Sequence, residues 1–460
     1  MANVIGVAGQ RFFADPSPAA DETQFQVTNT DSSYYRSPYY ALHQNQLQPV
    51  PPPSVIPPRL DLAGVLGPDL IGPITTAGKI SFHAVGDTGA AKVNRSQTAA
   101  TALADQARVA DAMAADVQTG GAAAPAFFFH LGDIVYNFGE DQYYYDQFYE
   151  PYRTYDRPIF AIPGNHDAVV VYSGPDGQTP AAPTLAGFLR NFCAPSAGPS
   201  PDAGSLVRTT MTQPGPYFTL DAPLVSIIGL YTNVLEDRGV LSSQNGTYPT
   251  VGDDQLAYLT NELKRLAPLR AKGERAVIIA CHHPPLSVDA KHGGTSGLGQ
   301  DIDQACTAAG LWPDAVLSGH AHLFQRFTRT TQGRQIPYVV SGSGGFAATP
   351  PRTNCPPAGT VIGDVTLAVD PIVKFGYLHV TVDLGAAPPT LTIEFRMVGQ
   401  DASGKVTTTI GDTVTVNLTT HQIQPAAPPP PAKKAVAKKA APAKKAVAKK
   451  AAPAKKAAKR

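Results

Sequence analysis

Gly164-Asn165-His166-Asp167 directly follows the apolar run Pro158-Ile159-Phe160-Ala161-Ile162, and four comparable clusters lie elsewhere in the chain. Gly86-Asp87-Thr88-Gly89 and Gly132-Asp133-Ile134-Val135-Tyr136 come before it; Cys281-His282-His283-Pro284 and Gly319-His320-Ala321-His322 come after. Each closes a short hydrophobic stretch. A single Gly-Asp is ordinarily a turn, and a single buried histidine is ordinarily a hydrogen-bonded core residue. Five such tips in series point instead to one shared centre. Carboxylate, amide oxygen, phenolate and imidazole donors together suit a pair of hard-to-borderline cations such as iron, zinc or manganese.

Donors this far apart in sequence need strands to bring them together. In an open α/β sheet the loops at the carboxyl ends of the strands gather around one crevice. Ile80, Phe82 and Ala84 read as a first strand, the Ala-rich stretch from Ser96 to about Val117 as a helix, and 126–130 as a second strand, which makes a βαβ unit. His130 is expected to serve the core or to support a ligand. A further strand is expected at 224–231, then a helix capped by Asp253 or Asp254 with Leu256, Leu259, Leu263 and Leu266 on one side. The rings of Tyr143, Tyr144, Tyr145, Phe148, Tyr149, Tyr152 and Tyr155, spaced by threes and fours, predict a packed helix face followed by an irregular segment. After His322, apolar segments at 338–341, 377–382, 391–395 and 413–416 imply an antiparallel continuation.

With these residues in order, the chain resembles the calcineurin-like metallophosphoesterases and, within them, the purple acid phosphatases of the tartrate-resistant acid phosphatase-like kind. The family blocks GDxG, GDxxY, GNH(D/E), (V/I)xxH and GHxH stand at 86, 132, 164, 279 and 319, within a resemblance spanning about 79–400. Asp87-Thr88-Gly89 in place of Asp-x-His, and Tyr136 three residues after Asp133, are the features that select the purple branch. The resemblance implies an α/β fold, the metallophosphoesterase four-layer αββα sandwich with two facing mixed β-sheets.

It also implies a site. Asp87, Asp133, Tyr136 and His322 would hold Fe3+, with the Tyr136 phenolate giving a charge-transfer colour. Asp133, Asn165, His282 and His320 would hold a divalent Fe, Zn or Mn, with Asp133 bridging the two metal ions. His282 matches the family's His-x-Pro spacing, which leaves His283 as a supporting or strand-end residue. His166, fixed between a ligand and Asp167, would protonate the leaving alkoxide. His292, ten residues after His282, would be a second substrate-facing histidine; a solvent-exposed loop histidine is the alternative. Two cations about 3.5 to 4 Å apart activate a water, neutralise phosphoryl oxygens and hold an ester for in-line attack. The implied function is phosphomonoester hydrolysis by a metal-bound hydroxide, with a small phosphate ester as substrate. A metallophosphodiesterase or nucleotide hydrolase is the nearest alternative, because the pocket on the alcohol side decides between them.

Composition frames the rest. Twelve of the 37 basic residues fall in 433–460 with no acid among them, which leaves 25 against 36 acidic residues in the remainder. The block AKKAVAKKAAP at 432–442 recurs at 443–453. Lysine repulsion and Pro442 and Pro453 oppose a stable helix there, so a disordered basic tail is expected. Such a tail would contact nucleic acid or polyphosphate nonspecifically, which is the reading from another class, a polyanion-binding protein. The expected division is a Pro/Tyr-rich extension at 1–75, a catalytic domain at 76–424 and the tail at 425–460. The Pro/Gly/Ala-rich stretch 171–216 is a candidate for substrate selection, and Gly342, Gly344 and Gly345 form either a phosphate-approaching loop or a plain turn. Four scattered cysteines suggest no disulfide scaffold. No transmembrane run and no recognisable signal are read from the sequence, and a cytoplasmic location is the expectation.

Overall fold

Side-chain alternation along a few short strands builds the layers. The computed structural model describes residues 47–89, 99–121, 124–136, 139, 141–168, 183–204, 206, 208–235 and 239–425. Residues 1–46 of the Pro/Tyr-rich extension, 171–182, 205 and 207 of the expected selection loop, and the basic tail from 426 lie outside the described residues. The central strands are Lys79–Val85 (β1), Phe128–His130 (β2), Ile159–Ala161 (β3), Val225–Leu230 (β4), Ala276–Cys281 (β5), Ala315–Ser318 (β6) and Arg334–Ser341 (β7). The longest helices are Ala99–Thr119 (α1), Asp254–Ala271 (α2) and Ser296–Ala309 (α3).

In a seven-stranded sheet, β1, β2 and β3 run parallel, and Gly376–Asp383, Thr390–Gln400, Val406–Asn417 and Gln422–Ile423 extend it antiparallel from β1. In a nine-stranded sheet, β4, β5, β6 and β7 run parallel. Phe218–Ala222 and Arg59–Asp61 flank β4; Phe324–Thr331, Val365–Leu367 and Val361–Ile362 flank β7. Both sheets are mixed, as expected.

Period-two burial places the sheets face to face. Ile80, Phe82 and Ala84 of β1 join Ile278 and Ala280 of β5 and Leu317 of β6 in one inner core. Val85, on the other face of β1, packs with Val109, Met113 and Val117 of α1. Val277 and Ile279 pack with Leu259 and Leu263 of α2 and with Ile302 of α3. The order is therefore helix, sheet, sheet, helix. A fully buried phenylalanine such as Phe82 or Phe127, whose rings stack at 4.8 Å, contributes about 2 kcal/mol.

Two regions differ from the sequence expectation. The ring-rich stretch forms a 3-10 turn at Asp141–Tyr143 and a π-helical turn at Tyr145–Tyr149, followed by turns, in place of a longer helix. Arg208 donates to the carbonyls of Tyr152, Tyr155 and Arg157, groups a continuing helix would use for its own ladder. Tyr144, Phe148, Tyr149, Tyr152 and Tyr155 are nevertheless buried, while Tyr143 is exposed. Arg59–Asp61, just past the proline-rich segment, adds an edge strand parallel to Phe218–Ala222. Leu62 behind it is buried in the inner core, and Arg59 Nε donates to Glu262 at 2.8 Å.

On the α1 side of β1, fully buried His83 has Nε2 at 3.4 Å from Asp116 and Nδ1 at 3.1 Å from Tyr155 Oη. Tyr377 donates to Asp116 at 2.7 Å, and Arg396 pairs with the same carboxylate. Burial opposes ionisation of Asp116, yet His83, Tyr377 and Arg396 outweigh it and hold the carboxyl at about 2. A carboxyl depressed on folding stabilises the protein above its ordinary value and loses that contribution as pH falls toward the folded value. Thermal denaturation followed by circular dichroism should show Tm falling between pH 4 and 2, with a shallower fall in Asp116→Asn. An unchanged acid limb would remove Asp116 from the account.

Candidate metal centre

Backbone hydrogen bonds stitch the carboxyl ends of the parallel strands into one surface. The Asp87 amide donates to Gly132 O at 2.9 Å, Gly86 N to Ser341 O at 3.0 Å, and Gly319 N to His282 O at 3.0 Å. These turns are tight enough to need special conformations. Asp87, Asp133 and His320 adopt φ of 59°, 56° and 67°, the left-handed region that costs a residue with a Cβ about 1 kcal/mol or more. Gly164 and Gly342 are required for another reason. A Cβ at Gly164 would overlap Asp133 Oδ1, and one at Gly342 would overlap the Ala321 carbonyl. The Gly342 loop is thus packed on the Asp87 and His320 turns.

All seven expected ligands converge, and all are buried. Tyr136 Oη donates toward Asp133 Oδ2 at 3.0 Å and Asp87 Oδ1 at 3.3 Å. His322 Nε2 lies 3.3 Å from Asp87 Oδ1. On the other side of Asp133, His282 Nε2 is 3.4 Å from its Oδ2 and 3.0 Å from Asn165 Oδ1. His320 Nδ1 is 3.0 Å from the same amide oxygen and 3.2 Å from His282 Nε2. One ligand atom from each of Asp133, His282 and His320 falls within 4.8 Å of the others. Asp133 belongs to both halves.

The donor chemistry fits a cation. His282 Nδ1 donates to the Leu131 carbonyl at 2.8 Å, so the neutral form of the ring, the one that would bind a metal, turns its Nε2 lone pair outward. That lone pair faces the oxygens of Asn165 and Asp133 and the ring nitrogen of His320. Acceptors crowded together in this way call for a shared positive charge. Burial would depress the His282 imidazolium, yet Asp133 beside it prevails and raises it to about 9. Burial, then Asp133 and Asp87, push the Tyr136 phenol well above its ordinary value. A phenolate there therefore needs a strong cation beside it.

The expected catalytic histidines sit at the rim. His166 is half-buried, with its ring 4.2 Å from that of Tyr136 and its amide donating to Asp133 Oδ1 at 2.8 Å. The Asp167 carboxylate is occupied by the amides of Ile134, Val135 and Gly164 at 2.9, 3.0 and 2.8 Å, so it ties two ligand loops together. His292 is buried, its ring 4.0 Å from that of His320 and 6.0 Å from that of His322. His283 Nδ1 pairs with Thr232 Oγ1 at 2.8 Å. His130 accepts from the Gly132 amide at 3.1 Å and pairs with Thr88 Oγ1 at 2.8 Å, joining the first two loops.

Some supporting residues carry no local sequence signal. Phe346 stacks on Tyr136 at 3.6 Å with an interplanar angle of 2° and meets the His322 ring edge-on at 5.1 Å. Gln147 brackets the Tyr136 peptide, accepting from its amide at 2.9 Å and donating to its carbonyl at 2.8 Å. Only the glycines before Phe346 hinted at that loop. A cavity of about 880 Å³ between 47–59 and α2 contains none of the seven donors.

The sequence profile of the Calcineurin-like phosphoesterase family matches residues 80–324, the span that carries every one of these donors. The chain belongs to that family. Among solved structures, this phosphoesterase is similar to a structure of PhoD, with 12% identity over 76% of this chain and 72% of that one, at a TM-score of 0.44. A dimetal phosphatase from Danio rerio gives 12% identity over 72% and 99%, at a TM-score of 0.38. A putative 5'-nucleotidase from Staphylococcus aureus in complex with alpha-ketoglutarate gives 12% over 73% and 54%, at 0.29. No curated protein matches the phosphoesterase in sequence. Among its described residues no helix is long and apolar enough to cross a membrane, and its four cysteines are free thiols.

Proposed function

We propose that the chain is a dinuclear metal-dependent phosphatase of the purple acid type, acting on phosphomonoesters. The observation that carries this reading is the convergence of Asn165, His282 and His320 on Asp133. In this reading Asp87, Asp133, Tyr136 and His322 would hold a ferric ion, and Asp133, Asn165, His282 and His320 a divalent iron, zinc or manganese ion. Bound there, the two metal ions would supply an activated water and charge neutralisation at the phosphoryl group. The chain's own side chains do the rest. His166, half-buried beside Tyr136, hands a proton to the leaving alkoxide. His292, buried beside His320, donates to a phosphoryl oxygen. The purple assignment is supported by Tyr136 Oη, which lies between the carboxylates of Asp87 and Asp133.

Metal analysis, a visible spectrum and hydrolysis of a chromogenic phosphomonoester beside its diester test the reading together. Two metals per chain, a band absent in Tyr136→Phe and a preference for the monoester are expected. His166→Ala should slow turnover about a hundredfold with metal content kept. Two metals without the band, or diester preference, would favour the metallophosphodiesterase or nucleotide-hydrolase alternative. Loss of both metals in His166→Ala would overturn its role as proton donor.

A further inference from the structure

Away from the metal centre, three arginines surround a cavity that this reading leaves unused. It measures about 510 Å³ and lies among 148–159, the end of the helix Ala186–Phe192 and 206–211. Arg153, Arg157 and Arg208 line it, against the single lining carboxylate of Asp156. Arg153 pairs with Glu150 at 3.1 Å and Arg157 with Asp156 at 3.3 Å.

Arg208 is held differently. Its Nη1 donates to the carbonyls of Tyr152 and Tyr155 at 2.9 Å each, and its Nη2 to the Arg157 carbonyl at 3.0 Å. Among the described residues its hydrogen-bond partners are these three neutral oxygens. A guanidinium carries five N–H donors and keeps its charge, so two donors and a full positive charge remain. Arg208 is half-buried; burial depresses its pKa, offset in part by Tyr155, Tyr149 and Asp156. A ligand anion would add to what that one carboxylate supplies. Phe148, Ile159, Phe192 and Met211 give the cavity apolar walls, beside the polar side chains of Asn191 and Thr209. Apolar walls with a few fixed polar groups, in a cavity of this volume, are the ordinary form of a small-molecule site.

We infer that this cavity is a second ligand site, for a small organic phosphate or phosphonate whose anionic group pairs with Arg208 and Arg157 and whose apolar body packs on Phe192 and Met211. None of the candidate metal donors lines it, so its occupancy is separable from metal chemistry.

Phenylphosphonate is the probe, titrated calorimetrically into the metal-loaded full chain and again after chelation, with inorganic phosphate as a second arm. One phenylphosphonate per chain should still bind after chelation, and Arg208→Gln and Arg157→Gln should each weaken that binding roughly tenfold. Inorganic phosphate should bind roughly tenfold more weakly than phenylphosphonate, since it lacks the apolar body. Because Arg208→Gln also strips three carbonyls of their donor, Arg157→Gln at the half-exposed rim carries the test if that variant fails to fold. No chelator-resistant binding in the unmodified chain, or unchanged affinity in Arg157→Gln, overturns the inference. Equal affinity for inorganic phosphate overturns its apolar half. Failure of the metal-centre reading would leave the chelator-resistant binding as it is.

Discussion

Asp133→Ala is expected to empty the centre of both metals and to lower kcat/KM for a chromogenic phosphomonoester by about a thousandfold or more. The carboxylate is the one group common to both halves of the site, 3.0 Å from Tyr136 Oη and 3.4 Å from His282 Nε2. Its other oxygen accepts the His166 amide at 2.8 Å, so the loop carrying the expected proton donor hangs on it as well. Charge stabilisation by bound metals is worth several kcal/mol, and each 1.4 kcal/mol is a factor of ten. Metal analysis separates this outcome from simple unfolding when read beside the far-UV spectrum. A folded Asp133→Ala that keeps two metals would refute the shared-carboxylate arrangement.

Asp289→Ala is expected to lower kcat by about ten- to a hundredfold without loss of metal. Asp289 is fully buried and accepts from the amides of Lys291, His292 and Gly293 at 2.9, 2.8 and 2.8 Å and from Ser287 Oγ at 2.7 Å. These bonds shape the turn that sets His292 beside His320. Neither ring nitrogen of His292 has a hydrogen-bond partner among the described residues, so its placement rests on the backbone beneath it. Misplacing a substrate-facing group by about 1 Å costs on the order of a hundredfold. Three amides left without an acceptor also cost about 3 kcal/mol of stability, visible as a lower Tm. Asp289→Asn keeps one acceptor oxygen and should fall between the two. Metal loss parallel to activity loss, or an unchanged kcat in a folded variant, would show that Asp289 does not act through His292.

The candidate site was largely legible because its chemistry sits on turns that immediately follow apolar runs. Asp87, Asp133, Asn165, His282, His320 and His322 each belong to a short local pattern, and local patterns survive reading one residue after another. What holds them was not legible. The Leu131 carbonyl that orients His282 and the Phe346 ring on Tyr136 act across distances in sequence that no periodicity encodes, and Asp289, though only three residues from His292, belongs to none of the motif blocks. The fold divides in the same way. β1, α1, β5 and α2 show clear alternation or helical spacing, whereas the edge strand Arg59–Asp61 is three residues long and exists only through its pairing with Phe218–Ala222. In the tyrosine-rich stretch, helical spacing was real but was overridden by Arg208, which claims the carbonyls a helix needs.

The left-handed conformations of Asp87, Asp133 and His320 set function and robustness against each other. Glycine at these three positions would relieve backbone strain and would also remove three of the proposed metal donors. A screen that rewards heat resistance of the metal-free chain would therefore enrich variants that have discarded the chemistry. Screening the metal-loaded protein would protect those positions, since the metal ions bind only the folded chain.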